Sequence, residues 1–548
     1  MKILGFQSGH DVSYCILENG IPIIHEELER FTREKEPLGD GLDMAFQRIS
    51  DDELNEITHI SYGNPGRRIG KCGLKKSERK LKSLNVDYSI IGHHQSHAAN
   101  AFFSSNFDEA LVITLDGSGV EKGNYKDYSK DCYTLKENFE YFSSSCTFWL
   151  GKDLNIKPIE RIPTSKLTIG SPWQIYTGEI FGLSNGYPEG NSAGTVMAMA
   201  AVGDSNKYWK DFYDAFMSGG SFYGRSSARV SGNILKYKPI AEKSEQDAFD
   251  VAAGLQRATE EVCKKIITPY IEKYNPKHIC MAGGVALNSV MIGKMYDWFP
   301  NIEQIFICPV PYDGGLSIGS AQYVYHHILK NPRVTWKNNC SPYLGKKYYK
   351  EDILKSIDNK KDLITFETVD DNYVIDLLDK QNIISVFGGE SESGRRALGN
   401  RSILADPRSP KMKDIINEKV KHRQWFRPFA PSILREDVKE WFEKDVDSPY
   451  MTTVLNWKEE VKDKVPAVVH LDGTARLQTV TKNDNKWYYN FIKKFKEYTN
   501  VPVLLNTSFN DREPIVETPE HAINCFLGTD IDYLYFYDYG ILVTNCYK

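Results

Sequence analysis

Two histidines four residues apart, His93 and His97 in the run His93-His94-Gln95-Ser96-His97, are the first residues in this chain whose spacing suggests chemistry. On a helix that spacing projects both imidazoles from one face, where they can grip a single ion. The apolar run Ala110 to Leu115 follows, then Asp116-Gly117-Ser118-Gly119. Asp116, at the end of a strand-like run, could add a hard oxygen ligand from the adjoining turn. Mixed imidazole and carboxylate ligation suits Fe(II), Mn or Zn better than Ca or a thiolate-type site. A second stretch, Pro311-Tyr312-Asp313-Gly314-Gly315, is expected to converge on the same metal-and-nucleotide site. Taken alone, His-x-x-x-His is more often a surface feature or a pair of satisfied core histidines.

The elements that must carry these residues repeat one device. Ile3 to Phe6 reads as a strand, Gln7 to His10 as a polar turn, and Val12 to Leu17 as a second strand. Asn19-Gly20 then marks a hairpin into the strand Ile21 to Ile24. The device recurs at Ala110 to Leu115, with the turn Asp116 to Gly119 and a further strand expected around Asp131 to Leu135. In such a turn Gly117 and Gly119 would let backbone N–H groups approach phosphate oxygens. A third glycine element runs from Ile279 through Gly283 and Gly284 to Asn288, a buried strand leading into a helix. That shape accepts an adenosine or its phosphates, although a lone Gly-Gly after a strand is more often a tight turn. Helical spacing marks Ala248 to Tyr274 and Gly315 to Ile328. Ser171 to Asp204, rich in small residues and poor in charge, reads as site-lining or simply packed.

Composition bounds the function classes. At 548 residues the chain is too long for one core, and two or three domains are expected. Charged residues at 26% and apolar residues at 41% describe an ordinary globular protein. A formal net charge of −5 gives no reason to expect nucleic acid or an anionic membrane as partner. The basic cluster from Arg67 to Lys82 reads as a solvated face. No span reaches the roughly 18 apolar residues of a transmembrane helix, and Met1 to Gly5 is a short strand rather than a signal peptide. Ten cysteines without a Cys-x-x-Cys pair suggest reduced thiols and a cytoplasmic protein.

Near residue 340 the texture changes: Asn338 to Gly345 is turn-rich and Lys346 to Asp362 strongly charged. The boundary is therefore placed there, giving domains 1–340 and 341–548. The second alternates helices (Asp371 to Lys380, Met412 to Val420, and Pro519 to Leu527 behind Thr518) with strands (Ile383 to Phe387, Val501 to Leu505). That is an α/β layout. Its loops are dense in cations and hydroxyls: Glu392 to Ser402, Lys421 to Pro431, Asp472 to Arg476 and Asn506 to Asn510. Arginine forks bind phosphate bidentately and lysine adds a point charge, so these loops fit a pocket for a polyphosphate or a small phosphorylated acid. Surface ion pairs are the plain alternative; Phe426, Phe429 and the two prolines around Arg427 speak against it by rigidifying that arginine.

These residues, taken together, resemble the O-carbamoyltransferases of the nodulation and antibiotic-tailoring type over nearly the whole chain. The matching blocks are Leu4 to Ser13, Glu27 to Lys35, the His93-His94-x-x-His97, Asp116-Gly-x-Gly, Gly283-Gly-Val-Ala-Leu-Asn and Asp313-Gly-Gly elements, and the four C-terminal loops. Arg395 stands where the family usually has proline. The resemblance implies an α/β protein. Its N-terminal (Kae1-like) domain would have the actin/Hsp70/sugar-kinase superfold with duplicated RNase H-like halves, and its C-terminal α/β domain would be YrdC-like. It implies that carbamoyl phosphate and ATP, with Mg, form carbamoyladenylate in the C-terminal domain. Arg396, Lys421, Arg427, Arg476 and Ser508 match positions that hold phosphate and carbamoyl oxygens. It implies a metal, iron or another divalent ion, on His93, His97, Asp116 and Asp313. There the carbamoyl group would pass to a hydroxyl-bearing acceptor. His10 is the candidate general base or substrate orienter, with a turn-capping role open, and Lys35 is expected at the nucleotide or carbamoyl group. A transfer-RNA threonylcarbamoyl-type enzyme and a nonenzymatic Hsp70-type nucleotide switch are the other readings.

Overall fold

In β1 (Lys2–Gln7), Leu4 and Phe6 join one buried cluster with Val12, Tyr14, Leu42 and Ile60. Ile3, between them, joins another with Ile91, Ala98, Phe102 and Tyr323. The period of two is that of a strand, and burial on both faces marks a strand covered on both sides. The structure, a computed structural model, describes residues 1–63, 86–122, 141–183, 192–219, 234–334 and 341–548. The basic run Arg67 to Lys82, the expected strand at Asp131 to Leu135 and part of Ser171 to Asp204 lie outside the described residues. The chain divides into two units, Met1–Cys340 and Ser341–Lys548.

In the first unit β2 (Ser13–Glu18) and β3 (Ile21–Glu27) fold back antiparallel through Asn19 and Gly20, both at positive φ. β4 (Ile57–Tyr62) and β5 (Asp87–Ile90) add parallel strands on the other side, giving the order β3-β2-β1-β4-β5. β6 (Glu109–Lys122), β7 (Tyr141–Lys152), β8 (Asn155–Pro163), β9 (His278–Ala282) and β10 (Gln304–Ile307) repeat the plan. Their order is β10-β9-β6-β7-β8, with β7 and β8 antiparallel and β9 and β10 parallel. Each half is thus joined by two antiparallel pairings on one side of its central strand and two parallel pairings on the other, so that only β2 and β7 run against the remaining strands. This is the duplicated RNase H-like plan of the actin, Hsp70 and sugar-kinase superfold. A helix follows the fifth strand of each half: His93–Phe103 after β5, and Leu316–Gln322, led in by the turn Asp313–Gly315, after β10. Their side chains share the inner core, and the Asn100 amide donates to Val310 O at 2.8 Å.

The structure departs from one expectation of the sequence. The strand at Ala110 to Leu115 does not end in a turn; β6 continues to Lys122, and its pairing with β7 slips between Leu115 and Gly119. Asp116 to Ser118 form a bulge, a device that bends a strand and re-aims its side chains.

The second unit is built on a nine-stranded mixed sheet. Its strands are β11 (Ile364–Thr368), β12 (Ile384–Phe387), β13 (Arg401–Ala405), β14 (Ala430–Leu434), β15 (Thr453–Asn456), β16 (Thr474–Val480), β17 (Val503–Ser508), β18 (Tyr533–Phe536) and β19 (Ile541–Asn545). The order is β11-β19-β18-β12-β13-β17-β14-β16-β15. Helices Asp371–Asp379, Lys486–Thr499 and Pro519–Leu527 contribute to one large apolar core. The last begins as expected: the Thr518 side chain accepts from His521 N–H and proline takes the first turn. Among the described residues no helix is long and apolar enough to cross a membrane, and seven cysteines are free thiols.

Candidate active site

Four donor atoms meet where the two halves of the first unit face each other. His93 Nε2 lies 3.0 Å from Asp116 Oδ2, 3.5 Å from Asp313 Oδ1 and 3.2 Å from His97 Nε2. His97 Nε2 is 3.4 Å from Asp313 Oδ1, and the donors of all four residues lie within 4.8 Å of one another. The duplication explains the meeting. His93 and Asp313 begin the segments that follow the fifth strands, while His10 follows the central strand β1 and Asp116 sits in the bulge of the central strand β6. His10 sits at the mouth, half exposed, with Nδ1 2.9 Å from Asp11 Oδ2 and Nε2 3.4 Å from Asp313 Oδ2.

Hydrogen bonding alone does not account for this arrangement. One imidazole N–H at His93 Nε2 would face three acceptors, and at most one proton can lie between the two Nε2 atoms. A divalent cation resolves the excess of lone pairs, so the residues present fit a metal. The charges point the same way. Burial pulls the His93 pKa down, but Asp313 and Asp116 outweigh it and raise it to about 9. Burial alone would raise Asp116, yet His93, His97 and the Gly284 N–H hold its carboxyl well below the usual range.

The neighbouring groups hold the donors in place. Asp116 Oδ1 accepts from Gly284 N–H at 2.8 Å, leaving Oδ2 toward the imidazoles. Gly314 O accepts from Ser13 Oγ at 2.7 Å and from His25 Nε2 at 3.0 Å, and the Tyr312 hydroxyl donates to Glu27. The motifs around Leu4 to Ser13 and Glu27 therefore fasten the Asp313 turn. His94, between the two site histidines, is locked away from them. Its Nδ1 meets Thr114 Oγ1 at 2.9 Å, its Nε2 meets Ser144 O at 3.1 Å, and burial drives its pKa down to about 3.

The residues expected to cradle a nucleotide fall into different places. A Cβ on Gly119 would lie 2.1 Å from His94 Cδ2 and 2.6 Å from His93 Cδ2, so this glycine lets β6 pass beneath both rings. Gly117 packs against Ser171, whose hydroxyl donates to Gly117 O at 2.7 Å. Gly283 N–H donates to Pro311 O. The Asn288 side chain caps helix Ser289–Trp298, accepting from Met291 N–H, and pairs with Gln256. Lys35 lies half-buried in the bend after helix Glu29–Thr32.

In the second unit the strand register gathers the cationic loops. Ser508 stands opposite Ser402, Ala430 opposite Asn506, and Ser432 beside Gln478. The starts of β13, β14 and β16 and the end of β17 therefore share one end of the sheet. Arg396, Arg427, Arg476 and Ser508 emerge there. Among the described residues, the Arg427 and Arg476 guanidiniums have neither an ion pair nor a hydrogen-bond acceptor, and Arg476 Nε is buried without one. Burial first, then Arg396, Arg423 and Arg427, pull the Arg476 pKa well down.

Arg423, inside the Lys421 to Pro431 loop and assigned no role from sequence, lies beside this group. It stacks over Phe429 at 4.5 Å and donates to Asn417 Oδ1 at 2.7 Å. Lys421 is buried, and its ammonium reaches Ser508 O at 2.5 Å, Asn510 O at 2.7 Å and Asn510 Oδ1 at 2.8 Å. Burial and Arg423 lower its pKa, but three such acceptors require all three protons, which favours the charged form. Glu392 shapes the Arg396 loop: its buried carboxylate accepts from the N–H groups of Leu398, Asn400 and Arg401 at 2.8, 2.7 and 3.1 Å.

Comparison with known proteins shows the family. Residues 68–322 match the family model for the carbamoyltransferase N-terminus, and residues 375–542 match that for the carbamoyltransferase C-terminus. An uncharacterized protein of Methanocaldococcus jannaschii is 34% identical, over 89% of this chain and 78% of its own. Nodulation protein NolO of Bradyrhizobium diazoefficiens is 33% identical, over 81% of this chain and 77% of its own. Among solved structures, full-length HypF in its phosphate- and nucleotide-bound form aligns with 60% of this chain and 56% of its own. It does so at 13% identity and a TM-score of 0.34. At that distance the fold assignment rests on the strand order.

Proposed function

We propose a two-stage reaction for this chain, which belongs to the carbamoyltransferase family and is a transferase. Carbamoyl phosphate and ATP form carbamoyladenylate in the second unit, and the carbamoyl group passes to an acceptor hydroxyl in the first. The observation that carries the first stage is the pair of guanidiniums, Arg427 and Arg476, that have no anionic partner among the described residues. Cations held together against their own repulsion suit the charge of phosphate groups and the charge that develops in transfer. Carbamoyl phosphate gives up its phosphate to water, and the resulting carboxylate oxygen attacks the α-phosphorus of ATP, releasing pyrophosphate. Arg396, Arg427 and Arg476 hold the phosphate oxygens, and Ser508 a carbamoyl oxygen. Lys421 braces the Ser508 to Asn510 segment that forms the pocket wall.

In the second stage the acceptor oxygen bonds to the carbamoyl carbon and AMP leaves. His93, His97, Asp116 and Asp313 would hold a divalent metal, iron or another, which supplies Lewis-acid stabilisation of phosphate charge. His10, half exposed at the mouth, orients the adenylate or takes the proton of the acceptor hydroxyl. Asp11 holds its ring through Nδ1, and Nε2, 3.4 Å from Asp313 Oδ2, is the nitrogen left for substrate. Lys35 contacts the nucleotide or carbamoyl group, and Gly117, Gly283 and Asn288 border the space taken by the nucleotide.

The two stages separate by mutation. Arg427→Ala should lose carbamoyl-phosphate-dependent pyrophosphate release by about 10- to 100-fold, because a charge-assisted phosphate contact is worth roughly 1.5–3 kcal/mol. His97→Ala should still release pyrophosphate but carbamoylate no alcohol, read by mass spectrometry of candidate acceptors. The reverse pattern would overturn the assignment of stages to units.

A further inference from the structure

Helix His93–Phe103, which carries two of the four donor residues, begins at a residue that cannot cap it. Gly92 stands at the N-cap and has no side chain. Ordinarily a Ser, Thr, Asp or Asn there would accept from the free N–H groups of the first turn. Here the acceptor comes from another element. Glu121, on β6 and 2% exposed, turns its carboxylate onto the backbone N–H groups of His94 and Gln95. The fit is tight: a Cβ on Gly92 would lie 1.9 Å from Glu121 Oε2, so any side chain at position 92 would expel the carboxylate. Gln95 completes the end by accepting from Gly92 N–H at 3.2 Å.

The position of Glu121 on its strand matters as much as the contact. β6 delivers Asp116 to the site through its bulge, then resumes pairing with β7 and places Glu121 five residues further on. One strand therefore supplies one donor directly and holds the first turn of the helix that supplies two others. His93 is the first residue of that helix, where fraying is greatest. Without the carboxylate its imidazole would lose the fixed relation to Asp116 Oδ2, 3.0 Å away.

We propose that Glu121 is a positioning residue for the metal centre, setting the place of His93 relative to Asp116 by capping the His93–Phe103 helix from β6. The proposal rests on the reading of His93, His97, Asp116 and Asp313 as metal ligands. Partners of this kind typically change metal affinity by about 10- to 100-fold when removed.

The test uses the full-length protein with Co(II) as probe, which reports coordination through its visible absorption. Wild type, Glu121→Ala, Glu121→Asp, Glu121→Gln and His97→Ala are compared by competition with a chelator and by spectrum. Glu121→Ala should bind Co(II) about 10- to 100-fold more weakly with shifted bands. Glu121→Gln keeps an accepting oxygen at the same reach and should stay within about threefold of wild type, with unshifted bands. Glu121→Asp, one methylene shorter, should move the bands and weaken binding about tenfold; it carries the test if the alanine variant does not fold. Wild-type affinity and spectrum in the Ala and Asp variants would overturn the proposal. A wild-type spectrum in His97→Ala would instead overturn the ligand assignment beneath it.

Discussion

At the scale of single residues, the site depends on what is absent as well as on what is present. His97 Nε2 lies against His93 Nε2 and Asp313 Oδ1, and removing its ring leaves three donors for one ion. His97→Ala should therefore lose bound metal, and elemental analysis showing full occupancy in that variant would contradict the assignment. Gly119 makes a less obvious point. A methyl group there would meet carbons of both the His93 and His94 rings at 2.6 and 2.1 Å. His94 cannot yield, because both its nitrogens are bonded to Thr114 and Ser144. Overpacking of this kind costs about 1–3 kcal/mol, and His93 is the ring left to move. Gly119→Ala should lower both metal content and melting temperature; a variant with wild-type values of both would refute the close-approach argument.

At the scale of elements, one buried carboxylate, Glu392, holds the loop that carries both Arg396 and Arg401, and the two arginines differ in their surroundings. Arg401 shows the distinction. It is fully buried, stacks over Phe387 at 3.6 Å and donates to Gly388 O at 2.6 Å, so this arginine of the Arg-Ala-Leu-Gly-Asn-Arg motif is structural. Arg396, five residues earlier, lies half-buried near Arg476. Glu392, at the start of this loop, satisfies three backbone N–H groups that would otherwise be buried without acceptors. Each such loss costs about 1–3 kcal/mol. Glu392→Ala is expected to destabilise the protein by roughly 3 kcal/mol in urea unfolding and to raise KM for carbamoyl phosphate. Unchanged KM with the full stability loss would show that the loop does not place Arg396 for substrate.

At the scale of the whole molecule, buried neutral histidines link folding to pH. His326 is 1% exposed, packs on Phe103 and meets Asn331 O at 3.2 Å. Burial, with help from Arg333, lowers its pKa to about 4, and burial does the same to His470. The folded pKa lies below the unfolded value of about 6.5. The unfolded chain therefore binds more protons between about pH 4 and 6.5. Their contribution is complete above the unfolded pKa and is lost as pH falls toward the folded one. His326 alone accounts for on the order of 3 kcal/mol across that window. Unfolding free energies at pH 7 and pH 5 should differ less in His326→Gln than in wild type. An equal or larger difference in the variant would count against the linkage.

Features set by neighbouring residues could be read from the sequence. The Asn19-Gly20 turn, the Thr518 cap with Pro519, the β1 and β2 strands and the helical spacing of His93 and His97 all depend on short-range preferences that a local stretch displays. So did the α/β class, since element order is written along the chain. Pairing partners and register belong to the tertiary structure. Whether Asp116 ends a strand or sits in a bulge is decided by β7, and whether Gly119 faces phosphate or histidine by the helix packed above it. Likewise His93 and His94 look equivalent in sequence. Only Thr114 and Ser144, brought close by the sheet, turn one into the core while its neighbour meets Asp116 and Asp313. Arg423 and Glu121 were illegible for the same reason: a side chain's role here is set by what long-range contacts place beside it, and spacing along the chain carries no record of that.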